Sequence, residues 1–464
     1  MSDYQEWIAQ NNPLRTYVSK SGEGLSWSDR NTWYDMTLAT PQNPNPVASV
    51  APNNQVSPSA RYYGVSIASA NTGVTLDIDA EIDTLTVDNL SASLLVSTGR
   101  TLKLIVSGEI KNGSIDVKGN VDAPVMTLSG GTLFAGQNNA LNSTMILNVN
   151  KGNFDLKGFS QAIDAVKLGG GTIENGSLAG VISSTGGDIK KMGGSMSLTT
   201  LSGMTNISDI SNYTGRTTVE GGTLTVLGKL GQLTSAASTS TVKVYAGGKL
   251  EGTGIVLSDV YADNNSVLSG GLQGSTGQLQ LKGNLTQNKD PAFLEVEISK
   301  DDNDLIEVDG VAAIGGDVAA VVEHGGAAHL LGRNMTILTA IGGVTGSYTS
   351  LFLDVPLSFL NPYLTYDAND VYLSFSLTPF SVAARTINQR NVGNSLTMGA
   401  YGPISGPGAN ILNTLFYGSY QSAQSVMDTV GGAGLAGVQT TAMEVGQMVS
   451  STVSDQIAFW RSGE

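Results

Sequence analysis

Apolar and polar residues alternate with a strict two-residue step through TGVTLDIDAEIDTLTVDN, residues 72–89. Val74, Leu76, Ile78, Ala80 and Ile82 fall on one side of an extended chain. Asp77, Asp79, Glu81 and Asp83 fall on the other, because successive side chains of a strand point to opposite faces. The pattern predicts a half-buried β-strand. Shorter versions recur from about residue 62 to 300, broken by glycine, as in VKVYAGGKLEGTGIV at 242–256. Gly-Gly pairs beginning at 130, 170, 193, 221, 247 and 270 open related stretches: GGTLFAG, GGTIENGSLAG, GGSMSLTTLSG, GGTLTVLGKLGQ, GGKLEGTGIV and GGLQGSTGQLQLKG. Their gaps of 40, 23, 28, 26 and 23 fit one unit of roughly 20–28 residues when the first is doubled.

A strand this short cannot cover its own apolar face, but stacking on a neighbouring unit does. The repeat therefore predicts an all-β solenoid, a right-handed parallel β-helix with Gly or Asn at its corners, where positive φ is needed. At ~4.8 Å per rung, about 12–14 rungs would form a rod on the order of 60 Å long.

Three regions depart from the repeat. The opening 60 residues carry Trp27 and Trp33 in GLSWSDRNTWYD, then five of the 13 Pro in residues 41–58, which predicts an irregular loop or edge cover. Tyr348, Phe352, Phe359, Tyr363, Tyr366, Tyr372, Phe375 and Phe380 place eight aromatics within 33 residues. Aromatic side chains bury large areas, so this end should be the best packed and is the expected folding nucleus. From about residue 385 the two-residue step is lost. Leu435, Val438, Ala442, Val445, Val449, Val453, Ile457 and Trp460 follow the helical period, with Gly431, Gly432, Gly434 and Gly437 weakening the start of the helix.

Composition narrows the function. Net charge is −15, with 24 Lys and Arg against 39 Asp and Glu, which argues against nucleic acid and anionic membrane surfaces as partners. The absence of Cys suits a protein exported through an oxidising compartment. No basic and apolar leader opens the chain, and no apolar run approaches ~18 residues, so the sequence reads as cytosolic or as a mature fragment.

Candidate chemistry is sparse. Asp77, Asp79, Glu81 and Asp83 read first as a solvated face that repels other sheets. Their other readings are a Ca²⁺ site or the acid pair of a glycosidase, although residues 65–120 hold no aromatic platform for a sugar. Glu323, His324 and His329 in VVEHGGAAHLLG contain both His of the chain and suit a metal, but they read better as a Gly-rich corner before a strand at 335–340. Neither His lies in the first 320 residues, no GxSxG elbow occurs, and GNSL at 393–396 lacks the Asp of GDSL esterases. Asn112 and Asn175 begin Asn-Gly-Ser sequons that read as turns. No catalytic set and no cofactor are expected.

Several stretches carry a family resemblance. GGTLTVLGKLGQ, TVKVYAGGKLEGTGIV, LSGGLQ and GQLQLKGNLTQNKDPAFLEVEI together resemble the passenger-associated transport repeat of bacterial type V autotransporters. DLIEVDGVAAIGGDVAAVV, GRNMTILTAIGGVTGSYTSL and LNPYLTYDANDVYLSFS are similar to the autochaperone region of the same passengers. FSVAARTINQRNVGNSL resembles the start of their linker, and QTTAMEVGQMVSSTVSDQIAFWR the helix that runs into the barrel pore. WSDRNTW is similar to a Trp motif near the start of such passengers. The matched stretches span roughly residues 217–461 in the family's order.

The resemblance implies an N-terminal cap and loop at 1–60, a parallel β-helix passenger at 61–289, an autochaperone cap at 290–380, and a linker with an amphipathic helix at 381–464. The family's chains end in an outer-membrane β-barrel, whereas this sequence stops at Glu464, so it would be a passenger whose translocator, its first partner, lies outside this chain. Without its pore the terminal helix should be frayed or loosely docked. The implied location is the cell surface, reached through the Gram-negative outer membrane. The implied function is adhesion or self-association with neighbouring cells or a host or surface ligand. The alternatives are a β-helical polysaccharide-degrading enzyme and a secreted effector that binds a host receptor.

Overall fold

A computed structural model describes residues 14–54, 62–232, 241–402 and 406–462. The chain is mostly β, with its α-helices gathered at the C-terminal end. Among the described residues, 27 strands join one sheet and eight a second. Most pairings are parallel, and in the second half a strand's partner is the third strand on. Thr217–Val219 pairs with Thr241–Val244, and the series continues through Asp259–Ala262, Leu285–Gln287 and Ala312–Ile314. A second series runs through Gly222–Val226, Gly248–Gly252, Val267–Ser269, Phe293–Ile298 and Asp317–Val322. A third runs from Ile210–Ser211 through Lys229–Leu230, Ile255–Val256, Gln278–Leu281 and Leu305–Val308 to Asn334–Ala340. Parallel partners need a long crossover, and here the two intervening strands supply it.

Register decides what such stacking buries. Leu224, Leu250, Leu268, Leu294, Val318 and Leu351 are successive partners in the second series. The first five are at most 1% exposed. Each apolar side chain meets its like about 4.8 Å away, and full burial contributes about 1.5–3 kcal/mol per residue of this size. Corners leave little room. Gly316 has φ of 80°, and a Cβ there would lie 2.0 Å from the Ala292 carbonyl oxygen. Asn175, the sequon residue, takes φ of 60°, in keeping with a turn.

The alternating run at 72–89 is not one strand. Thr72–Leu76 ends before a corner at 77–79, and Ala80–Val96 begins a second segment whose register shifts between Ile82 and Thr84. Period-two counting is disturbed twice: Ile78, in the corner, is only partly buried, and Asp83, at the register shift, is 1% exposed.

Each end carries an antiparallel element. Arg15–Ser19 pairs antiparallel with Trp33–Asp35 and parallel with Tyr63–Ile67. Beside it Trp27 and Trp33 meet edge to face at 4.9 Å, both fully buried. The Trp33 indole N–H donates to the Trp27 carbonyl at 3.0 Å, and that of Trp27 to Pro52 at 3.0 Å. The proline-rich segment thus forms an irregular cover over 41–54, while 55–60 lies outside the described residues. At the other end the hairpin of Leu360–Tyr366 and Asp370–Leu377 lies antiparallel on Asn334–Ala340.

Helix α1 (Ile387–Gly399) follows, then α2 (Pro407–Tyr417), α3 (Tyr420–Val430) and α4 (Ala433–Ser462). A capping box formed by Thr386 and Gln389 starts α1. Phe359 contacts Phe380 at 5.1 Å and Tyr420 at 5.1 Å, and Phe380 contacts Phe416 at 5.7 Å. This aromatic group joins α2 and α3 to Phe359 and Phe380, and the Phe380 amide donates to the Thr397 hydroxyl of α1 at 3.0 Å. The aromatic-rich stretch is therefore only partly buried, against the sequence expectation. Tyr348, Phe359, Phe375 and Phe380 are buried and Tyr372 half-buried, whereas Phe352, Tyr363 and Tyr366 are 53%, 46% and 39% exposed. The hairpin is a cover with one wet face, which is common for antiparallel pairs.

The trailing helix is exposed along most of its length, in keeping with loose docking, and it is not frayed. It is continuous over Ala433–Ser462, and from residue 441 to 461 every residue is exposed, including Val445, Val449, Val453, Ile457 and Trp460.

Candidate functional site

The four alternating carboxylates do not form a cluster. Asp77 accepts from the Ser28 amide at 2.9 Å and from the Ser28 and Ser26 hydroxyls. Burial opposes its charge, but these hydrogen bonds outweigh it and hold the carboxyl below its usual value. Asp79 accepts from the Thr101 amide at 2.9 Å. Glu81 pairs with Lys103 at 2.9 Å. Asp83 accepts from the Tyr63 amide at 2.8 Å and from the Asn54 side chain at 3.3 Å. Each carboxylate thus serves its own corner or rung, which removes the basis for reading them as a shared Ca²⁺ site or acid pair. Among the described residues no group of three or more His, Asp or Glu side chains is placed to hold a metal.

Glu323, His324 and His329 occupy a turn and a 3₁₀ segment, Ala327–His329, before the strand Asn334–Ala340. The His324 ring lies 5.7 Å from that of Tyr417 in α2, and Asn413 of α2 donates to the Gly325 carbonyl at 2.6 Å. The corner is a docking point for a helix.

Two charged groups escaped sequence reasoning. Lys249 lies between Glu251 at 2.8 Å and Glu295 at 2.7 Å, and burial opposes its charge less than the two carboxylates favour it. The two-residue spacing of Lys249 and Glu251 along one strand was visible; the arrival of Glu295 from two rungs on was not. Asp304 is 1% exposed and joins three segments, accepting from the Gly277 amide at 2.9 Å, the Glu297 amide at 3.0 Å and the Ser269 hydroxyl at 3.2 Å. Burial pushes its carboxyl up to about 6 despite these donors. A perturbed, buried carboxylate is a site signal, but this one fastens the 270–277 loop through the Gly277 amide and the Ser269 hydroxyl.

Open depressions remain on the outer surface. One of about 470 Å³ is lined by Glu297, Glu323 and His324 with Ser275, Thr276 and Ser299. It brings two carboxylates together, yet Glu297 accepts from the Gly274 amide at 2.6 Å and Glu323 from that of Lys300 at 3.2 Å. No aromatic ring other than His324 lines it. Another, of about 380 Å³, holds the opposite set: Tyr245, Tyr261, Lys243 and Lys289 with a single carboxylate, Asp263. In these two depressions the exposed tyrosines and the paired carboxylates occupy different places, and glycoside hydrolysis needs two carboxylates flanking the bound sugar.

No family model matches the chain, and no curated protein matches it.

Proposed function

We propose that this chain is a right-handed parallel β-helix that serves as the surface-displayed passenger of a type V autotransporter, acting in adhesion or self-association. The single observation that carries the reading is the in-register row from Leu224 to Leu351, in which each third strand stacks on the last. A coil of this kind is stabilised by nearest-neighbour contacts, so folding can propagate rung by rung without an external energy source. The hairpin at 360–377 and the parallel strands beneath it supply a pre-formed surface for the first rungs to leave the barrel. Tyr348, Phe359 and Phe375, buried there, would act in that nucleus. The polar outer faces, the acidic balance and the separation of aromatic platforms from carboxylate pairs fit a binding rod better than a polysaccharide hydrolase.

Two measurements test this reading. Deleting residues 290–380 should leave the earlier rungs protease-sensitive, and digestion as slow as that of the whole chain would count against the folding order. Cells displaying the chain through an outer-membrane barrel should settle from suspension. Absence of settling with and without Ca²⁺ would count against self-association.

A further inference from the structure

Rung-to-rung register lays a trough across the outer face of the first strand series. Lys243, Tyr261 and Thr286 are successive partners on that face. Tyr245, Asp263 and Asn288 follow at the ends of the same strands, with Lys289 beyond, and together they line the depression of about 380 Å³. Tyr245 and Tyr261 are 38% and 40% exposed, on a chain whose aromatic residues are otherwise largely committed to its ends. The Lys243 ammonium stands 5.7 Å from the Tyr261 ring centroid. Neither Lys243 nor Lys289 belongs to an ion pair among the described residues. Asp263 is held ionised by hydrogen bonds from the Asn264 amide and the Asn288 side chain, with Lys243 near. The lining therefore carries two cations and one anion, a local excess of positive charge on a chain of net charge −15.

We propose that this trough binds a linear acidic oligosaccharide, its carboxylates read by Lys243 and Lys289 and its rings resting on Tyr245 and Tyr261. The aromatic faces match the C–H faces of a pyranose, while Thr286 and Asn288 offer hydroxyl and amide groups to ring hydroxyls. Successive strands recur about every 4.8 Å, close to the length of one sugar unit, so a chain laid along the stack meets a new outward side chain at each unit: Lys243, then Tyr261, then Thr286. An open trough suits an internal segment of polymer better than a small free molecule. With Asp263 as the one carboxylate lining the trough, the site binds without hydrolysing, since cleavage takes a pair. This inference deepens the adhesive reading and rests on it for its use.

Calorimetric titration of the purified chain with oligogalacturonate and with uncharged cello-oligosaccharide tests it. The acidic oligomer should bind at least roughly ten-fold more tightly, and Tyr261→Ala or Lys243→Ala should each weaken it by roughly ten-fold. Both side chains point outward, so circular dichroism should be unchanged; Lys289→Glu serves as the test if either variant misfolds. Equal affinity for the neutral oligomer, no binding of either, or variants that bind like the parent would overturn the proposal. So would variants that alter sedimentation of the chain with itself while leaving saccharide binding intact, which would make the trough a contact between copies. Failed saccharide binding with settling of displaying cells retained overturns this inference alone. Retained binding without settling keeps the site and overturns self-association.

Discussion

Asp304 shows how a single side chain can make this fold sensitive to pH. Burial pushes this carboxyl up to about 6 in the folded chain, whereas an unfolded Asp titrates near 3.8. Between those values the folded state holds the extra proton, so stability rises as pH falls from about 6 toward 4 and the gain is lost again as pH rises. The effect is about 2–3 kcal/mol. Denaturant midpoints of the parent, measured against those of Asp304→Asn, should diverge through that window; parallel profiles would show that the carboxylate stays charged when folded. At Gly316 the constraint is steric. With φ of 80° and the Ala292 oxygen 2.0 Å from any added Cβ, Gly316→Val should cost about 2–4 kcal/mol in chemical denaturation. At this scale the sequence was least legible. The acidic alternation suggested one face of one strand, but a corner at 77–79 sends Asp77 and Asp83 to separate partners. Nothing in a string of residues marks which dipeptide turns that corner, because Asp, Asn and Gly all serve there.

Elements were easier to read. Short strands between glycines, the irregular proline-rich cover and the change of texture near 385 all follow from local pattern. Two things did not. Three short helices precede the long one, and two of them, α2 and α3, pack through Phe359, Phe380, Phe416 and Tyr420, which meet only in three dimensions. Likewise the aromatic density at 348–380 could not reveal that Tyr363 and Tyr366 face outward, since a hairpin on the last rung has only one face to cover, nor that Phe352 lies on the outer side of its parallel strand. Phe380 is the hinge of that arrangement. Phe380→Ala should cost about 3–5 kcal/mol if it acts like a buried core aromatic. Hydrogen exchange should then accelerate in α1–α3 and leave the strands from 217 to 308 protected. Uniform loss of protection would mean that the helices and strands unfold as one unit.

For the whole molecule, the mostly β class and parallel pairing were legible because the repeat encodes them, related units sharing one interior by stacking in register, and the helical C-terminal part because the period changes near 385. Function was less so. Residues that recognise a ligand lie one per rung and tens of positions apart, as Lys243, Tyr261 and Thr286 do, so no motif announces them.

The reversed strands at the two extremities bear on assembly. A parallel stack left open would invite another molecule to continue it, since an unpaired strand edge is a template. Here Trp33–Asp35 at one extremity and the 360–366 strand at the other run against the grain of the stack they close. A newcomer cannot extend those stacks in the same sense. Where these reversed strands sit, copies that gather would meet flank to flank rather than by continuing the stack.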